Sequence, residues 1–68
     1  MSESLALQNH KKSQNILKEQ IEFLRNIREN LGSYGNDELI KDLSYVISNL
    51  EEVRKTETEM FWNFLRNE

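Results

Sequence analysis

The stretch Leu31-Gly32-Ser33-Tyr34-Gly35-Asn36-Asp37 decides the fold of this chain. It contains both glycines of the sequence, and the chain has no proline. The residues on either side are rich in Leu, Ile, Glu, Lys, Gln and Asn and read as continuous helix. The sequence therefore predicts two helices, at about residues 4–31 and 37–66, joined by a turn at residues 32–36 in a single domain, 1–68.

The predicted helix ends carry residue types that commonly stop or cap a helix. Gly32 is expected to adopt the left-handed conformation that stops helix 1. Asn36 or Asp37 is expected to cap helix 2, because a short polar side chain can accept a hydrogen bond from a free backbone N–H. Ser2 or Ser4 is expected to do the same for helix 1.

Both predicted helices show steps of three and four residues that are typical of helices packed along a common seam. Folding at the turn brings Gln14 level with Glu57 and Ile21 level with Leu50. The prediction is an all-α, coiled-coil-like antiparallel hairpin. Its seam on helix 1 is Leu7, His10, Gln14, Leu17, Ile21, Leu24, Arg28 and Leu31, and on helix 2 it is Leu39, Leu43, Val46, Leu50, Val53, Glu57, Met60 and Phe64.

Each helix carries a second apolar strip beside this seam, which is typical of a helix in a bundle. The chain is short and has no cysteine, so a disulfide cannot supplement a small core. We therefore expect the hairpin to be completed as a homodimeric four-helix bundle or by a helical protein partner. The expected interface residues are Ile16, Phe23, Ile27, Ile40, Ile47, Phe61, Trp62 and Leu65.

His10, Gln14 and Glu57 form the one polar cluster on the predicted seam. They could act as a general base or half of a metal site, but a polar layer that fixes the register of the helices is favoured. A third alternative is that helix 1 frays before Ile16. No catalytic, metal or cofactor residue is assigned, and the chain is predicted not to be an enzyme.

Two further side chains leave alternatives open. Arg28 could grip a ligand, although an arginine at a core position more often sends its guanidinium to water or to a carboxylate such as Asp42. Trp62 lies outside both predicted strips, so either the start of helix 1 near Leu5 or Leu7 covers it, or a partner does.

Charge and composition limit the classes of partner. The formal net charge is −3, which disfavours non-specific nucleic-acid binding. An alternative function is a nucleic-acid-binding dimer that uses Lys11, Lys12, Lys18 and Arg25. The chain has no apolar run long enough to span a membrane, and residues 1–5 lack the layout of a signal peptide. A cytoplasmic location is expected from these features and from the absence of cysteine.

Three families of short helical hairpins have a similar outline. The chain resembles plasmid-copy-number RNA-binding dimers and small co-chaperones of type III secretion in shape. The chain also resembles part of the signature sequence of the small aspartyl-phosphate phosphatases of sporulating bacteria. The similar segments are Ile21-Glu22-Phe23-Leu24-Arg25 and Leu43-Ser44. That signature continues Ser-Gln-Glu-Leu-Asp, whereas this chain continues Ser44-Tyr45-Val46-Ile47-Ser48 without the acidic residues. The resemblance implies a phosphatase-like regulator as a distant alternative.

The leading hypothesis is a small non-enzymatic interaction protein that acts as a regulator, adaptor or chaperone. It would work by burying apolar helix faces against a helical partner.

Overall fold

The fold is a hairpin of two antiparallel α-helices. The computed structural model describes residues 4–67, in which α1 is Leu5–Gly32, α2 is Asp37–Arg66, and no strand is present. The prediction of an all-α two-helix hairpin is confirmed. The observed helix ends lie within one residue of the predicted ones.

Short polar side chains cap the N-terminus of each helix. The Leu7 N–H donates to Ser4 Oγ at 3.2 Å, and the Leu39 N–H donates to Asn36 Oδ1 at 3.2 Å. Each cap satisfies a backbone donor that has no partner within its own helix. Ser4 and Asn36 are therefore the caps, while the alternative cap Ser2 lies outside the described residues.

The turn places its left-handed residue later than the sequence predicts. Gly32 is still helical, and Gly35 is the residue with positive φ, at 71°, among residues 4–67. The prediction for Gly32 is therefore wrong. The physical reason is that α1 ends by tightening its last turn, in which the Tyr34 N–H donates to the Leu31 carbonyl at 3.0 Å, so the chain reverses only after that turn.

On α1 the seam follows the predicted heptad. Ile21 is buried to 3% exposure at the centre of the hairpin. The remaining predicted seam residues of α1 are half-buried: Leu7, His10, Gln14, Leu17, Leu24, Arg28 and Leu31.

On α2 the axial register is as predicted, but the helix is rotated about its own axis. Gln14 Nε2 donates to Glu57 Oε2 at 2.6 Å, as the predicted pairing requires. However, Ile47 and Phe61 are buried and Ile40 is half-buried. The prediction that these three lie beside the hairpin seam is wrong. The apolar residues that were predicted for the seam and are exposed are Leu39, Val46, Val53, Met60 and Phe64.

The polar residues of α1 give a physical reason for this rotation. Gln14 lies in the seam and needs polar partners, since an unpaired amide in a packed seam costs about 1–3 kcal/mol. The observed rotation brings Arg54 into the seam, where its Nε donates to Gln14 Oε1 at 2.8 Å. Val53 in that place would offer Gln14 no side-chain partner.

The hairpin is a single layer of helices. Its extents are 51 × 22 × 9 Å, and the buried apolar residues among those described are Ile21, Ile47 and Phe61. The accessible surface is 5619 Å². A compact protein of 8.1 kDa would expose about 4,500 Å². The excess of about 1,100 Å² shows that one hairpin does not enclose a core of ordinary size.

Candidate functional site: a polar layer and two unlike flanks

Four polar side chains meet between the helices, and we call His10, Gln14, Arg54 and Glu57 the polar layer. His10 Nδ1 lies 3.0 Å from Glu57 Oε1 and 2.9 Å from Oε2. Gln14 Nε2 donates to the second of these oxygens and also, at 3.0 Å, to the Arg54 carbonyl. The predicted cluster of His10, Gln14 and Glu57 is confirmed. Arg54 is a member that sequence reasoning missed, because it was placed outside the seam.

An aromatic contact extends the polar layer toward the open end of the hairpin. The His10 ring stacks on Phe61 with centroids 4.2 Å apart and planes 3° from parallel. This contact ties the first turns of α1 to the last turns of α2. The alternative in which α1 frays before Ile16 is not observed, since α1 runs without a break from Leu5.

The polar layer holds the Glu57 carboxyl group in its ionised form. Partial burial by itself would raise the pKa of Glu57, but the hydrogen bonds from His10 and Gln14 and the attraction of His10 outweigh that effect. The pKa of Glu57 is therefore lowered from its ordinary value of 4.5. The side chain keeps 32% of its surface exposed, so solvent screens these interactions.

The lowered pKa of Glu57 predicts how stability depends on pH. A carboxyl whose pKa is lower in the folded state stabilises the fold above its unfolded pKa, and this contribution disappears as the pH falls through the folded value. We expect the free energy of unfolding, measured with urea, to fall as the pH decreases below 4.5. Glu57→Gln should show a smaller decrease over the same range. Equal pH dependence in both proteins would contradict this role of Glu57.

The contacts of the polar layer hold the two helices together, and they give less support for a catalytic reaction. A carboxylate that accepts from Nδ1 orients an imidazole, but general-base catalysis also needs a substrate proton within reach. Among residues 4–67, no group of three or more His, Cys, Asp or Glu side chains is placed to hold a metal ion, and no buried side-chain donor or acceptor lacks a partner. The absence of enzymatic activity stays a prediction.

One side of the hairpin is charged. Arg25 of α1 forms an ion pair with Glu51 of α2 across this side. A groove beside the pair is bordered by charged residues of both helices, among them Lys18, Glu22 and Lys55. These residues occupy the heptad positions e and b of each helix, when Ile21 and Ile47 are taken as position a. We call this side the charged flank.

The charged flank does not favour the nucleic-acid alternative. Lys18 and Arg25, two of its proposed contacts, alternate there with Glu22 and Glu51. Phosphate binding requires basic side chains without such neutralisation. Arg28, the other arginine of α1, donates to Ser44 Oγ at 3.1 Å, which supports its structural interpretation, with Ser44 as the partner in place of Asp42.

The opposite side of the hairpin carries apolar and uncharged polar residues. Because positions e and b of both helices border one groove, positions g and c of both helices lie on the other side. Within the described helices, Asp42 is the one charged residue at these positions. Phe23 is 60% exposed, Val53 52% and Met60 66%. We call this side the apolar flank, and its large apolar residues are Ile16, Phe23, Ile27, Leu39, Val46, Val53 and Met60.

A shallow groove lies where the apolar flank reaches the end of α2. Its apolar lining comes from Val53, Met60, Phe61 and Phe64. Phe64 is also exposed, so the end of α2 offers aromatic and thioether surface. Such side chains are enriched in protein interfaces.

The structure divides the predicted interface residues among several places. Ile16, Phe23 and Ile27 lie on the apolar flank, whereas Ile40, Ile47 and Phe61 lie in the seam. Leu65 is half-buried near the open end. Trp62 is 52% exposed and meets Phe61 edge to face, with centroids 5.4 Å apart, on the side of the charged flank. A partner contact through Trp62 stays a prediction.

Sequence reasoning missed Leu39, Val46, Val53 and Met60 as surface residues, since it assigned them to the seam. The signal that could have placed them was the polar character of Gln14 and His10. Glu57 faces them in either orientation of α2, but Arg54 can pair with Gln14 only when the column of Val46 and Val53 turns outward.

Similarity to known proteins gives no indication of the function of this chain. No family model, curated protein or solved structure that was compared with the chain matches it. Within residues 4–67, neither helix has the length and apolar character needed to cross a membrane.

Proposed function

We propose that this chain is a non-enzymatic interaction protein that buries its apolar flank against a second copy of itself, which gives a homodimeric four-helix bundle. The observation that carries the proposal is the contrast between the two sides of the hairpin. Charged residues crowd one flank, while the other exposes side chains such as Phe23 and Met60. Within residues 4–67, Asp42 is the sole charge at the heptad positions of that second flank. Val53, Met60 and Phe64 line one groove together, and contiguous exposed apolar surface of this kind marks an interaction site.

The area of exposed surface supports a partner of similar size. A standard protein interface buries about 800 Å² on each side. The hairpin exposes about 1,100 Å² more than a compact protein of its mass, so one such interface would remove most of the excess. Two stacked hairpins would also replace a single layer with two, which is the usual minimum for a domain.

The bundle accounts for both apolar columns on α2. In the hairpin, Ile47 packs toward α1 of the same chain, while Val46 and Val53 point away from the seam. A helix in a four-helix bundle has two neighbours and needs a wide apolar stripe. The column of Ile47 would pack against α1 of the same chain, and the column of Val46 and Val53 would pack against the partner. The charged flanks and Trp62 would remain outside, where they could engage a further protein as a regulator or adaptor does.

Sedimentation equilibrium at micromolar concentrations tests this function. We expect the mass of a dimer, together with a thermal midpoint that rises with protein concentration, because association stabilises the folded chain by mass action. A fully helical monomer whose midpoint is independent of concentration would overturn the proposed self-association. A stable monomer that binds a different helical protein through the apolar flank would keep the interaction surface but change its partner.

A further inference from the structure

We propose that in this dimer α2 of each chain lies against α1 of the partner, so that the two turns lie at the same end of the bundle. The inference rests on the proposed homodimer and specifies how the two apolar flanks meet.

Only two twofold arrangements place the apolar flanks face to face. If the twofold axis runs parallel to the helices, α2 packs on the partner's α1 and both turns lie at one end. If the axis crosses the helices, α2 packs on the partner's α2, α1 packs on the partner's α1, and the turns lie at opposite ends. In both cases neighbouring helices are antiparallel, so helix direction does not distinguish them.

Charge favours the arrangement with the turns together. The outer edge of α2 next to the apolar flank, at heptad position f, carries Glu38, Glu52 and Glu59 against one basic residue, Arg66. Packing α2 on a second α2 would bring two such acidic edges together, and like charges across an interface oppose association. The corresponding edge of α1 carries one residue of each sign, Lys12 and Glu19, so the acidic edge of α2 meets less repulsion there.

The position of apolar side chains along the helices favours the same arrangement. On α1 the apolar flank is richest in the part nearer the turn, around Phe23 and Ile27, while Asn9 and Ser13 lie toward the open end. With the turns together, the axial register fixed by the Gln14–Glu57 bond also applies between chains. Each Phe23 then comes level with the stretch of the partner's α2 that carries Val46 and Val53.

The alternative arrangement matches these side chains poorly. If two hairpins overlapped fully with their turns at opposite ends, the α1 helices would cross at mid-length. Ile27 would then lie level with Asn9 and His10 of the other α1, and Phe23 would lie between Ser13 and Ile16. Apolar surface would be buried against amide and hydroxyl groups, which lose hydration without gaining partners.

Distance measurements between spin labels test the arrangement. The chain has no cysteine, so Ser33→Cys places one label in each turn. With the turns together we expect a separation below about 30 Å, since neighbouring helices lie about 8–10 Å apart. With the turns at opposite ends the separation would approach the helix length, about 42 Å at 1.5 Å per residue.

A label at the middle of α1 provides the matched control. Glu19 is exposed near mid-length, so Glu19→Cys should give a short separation in either dimer. A short distance at both positions supports the proposal. A long distance at Ser33 with a short one at Glu19 overturns it but leaves the homodimer intact. Monomeric protein without dipolar coupling at either position overturns the proposed function as well.

Discussion

Replacing Ile47 with Glu is expected to abolish cooperative folding of the chain. Ile47 is 3% exposed and lies at the centre of the seam with Ile21. Removing a buried isoleucine costs about 2–5 kcal/mol, and a carboxylate in its place adds the cost of burying an unpaired charge. A core of this size supplies only about 3–5 kcal/mol. Far-ultraviolet circular dichroism and urea titration should show loss of helix and of the unfolding transition.

Two control variants isolate the cause. Ile47→Val keeps the site apolar and should cost about 0.5–1.5 kcal/mol. Ser48→Glu adds the same charge at the next residue, which is exposed on the charged flank, and should leave the fold intact. If Ile47→Glu stayed fully helical and lost only self-association, Ile47 would belong to an interface between chains, as the heptad assignment from sequence predicts.

Replacing Val53 with Glu is expected to weaken self-association strongly. Val53 is half-exposed in the middle of the apolar flank, so a dimer through this flank would bury it twice. A loss of about 2 kcal/mol, typical of a central interface residue, corresponds to an increase of about 30-fold in Kd. Sedimentation equilibrium over a range of concentrations measures this shift directly.

Ser48→Glu is also the control for this variant, because it adds the same charge on the opposite flank. Its Kd should equal that of the unmodified chain. The reverse result, in which Ser48→Glu dissociates the dimer and Val53→Glu does not, would place the interface on the charged flank.

The helices and the register between them could be predicted from the sequence because each depends on local signals. The two glycines and the polar caps locate the turn, and Gln14 and Glu57 fall level once the turn is placed. The seam of α1 could be predicted for a similar reason. On α1 the seam contains Leu17, Leu24 and Leu31 at seven-residue spacing beside Ile21, which makes it the stronger apolar strip.

The rotation of α2 could not be predicted from apolar spacing alone. Two columns with the same period run side by side on α2, one through Val46 and Val53 and the other through Ile47 and Phe61. The first is unbroken, while the second is interrupted by Arg54, and spacing therefore favours the wrong one. The choice depends on the hydrogen bond from Arg54 to Gln14, because Glu57 faces Gln14 in either orientation of α2.

The thinness of the hairpin has a consequence for the abundance of the protein in the cell. In the proposed dimer, most apolar surface is covered only after two chains meet, so the folded fraction depends on how much of the chain is present. Newly made chains at low abundance would remain open to proteolysis, while those above the dissociation constant would persist. The steady-state level of the protein would then rise more steeply than its rate of synthesis. Degradation of chains that have not dimerised would set the threshold below which the protein does not accumulate.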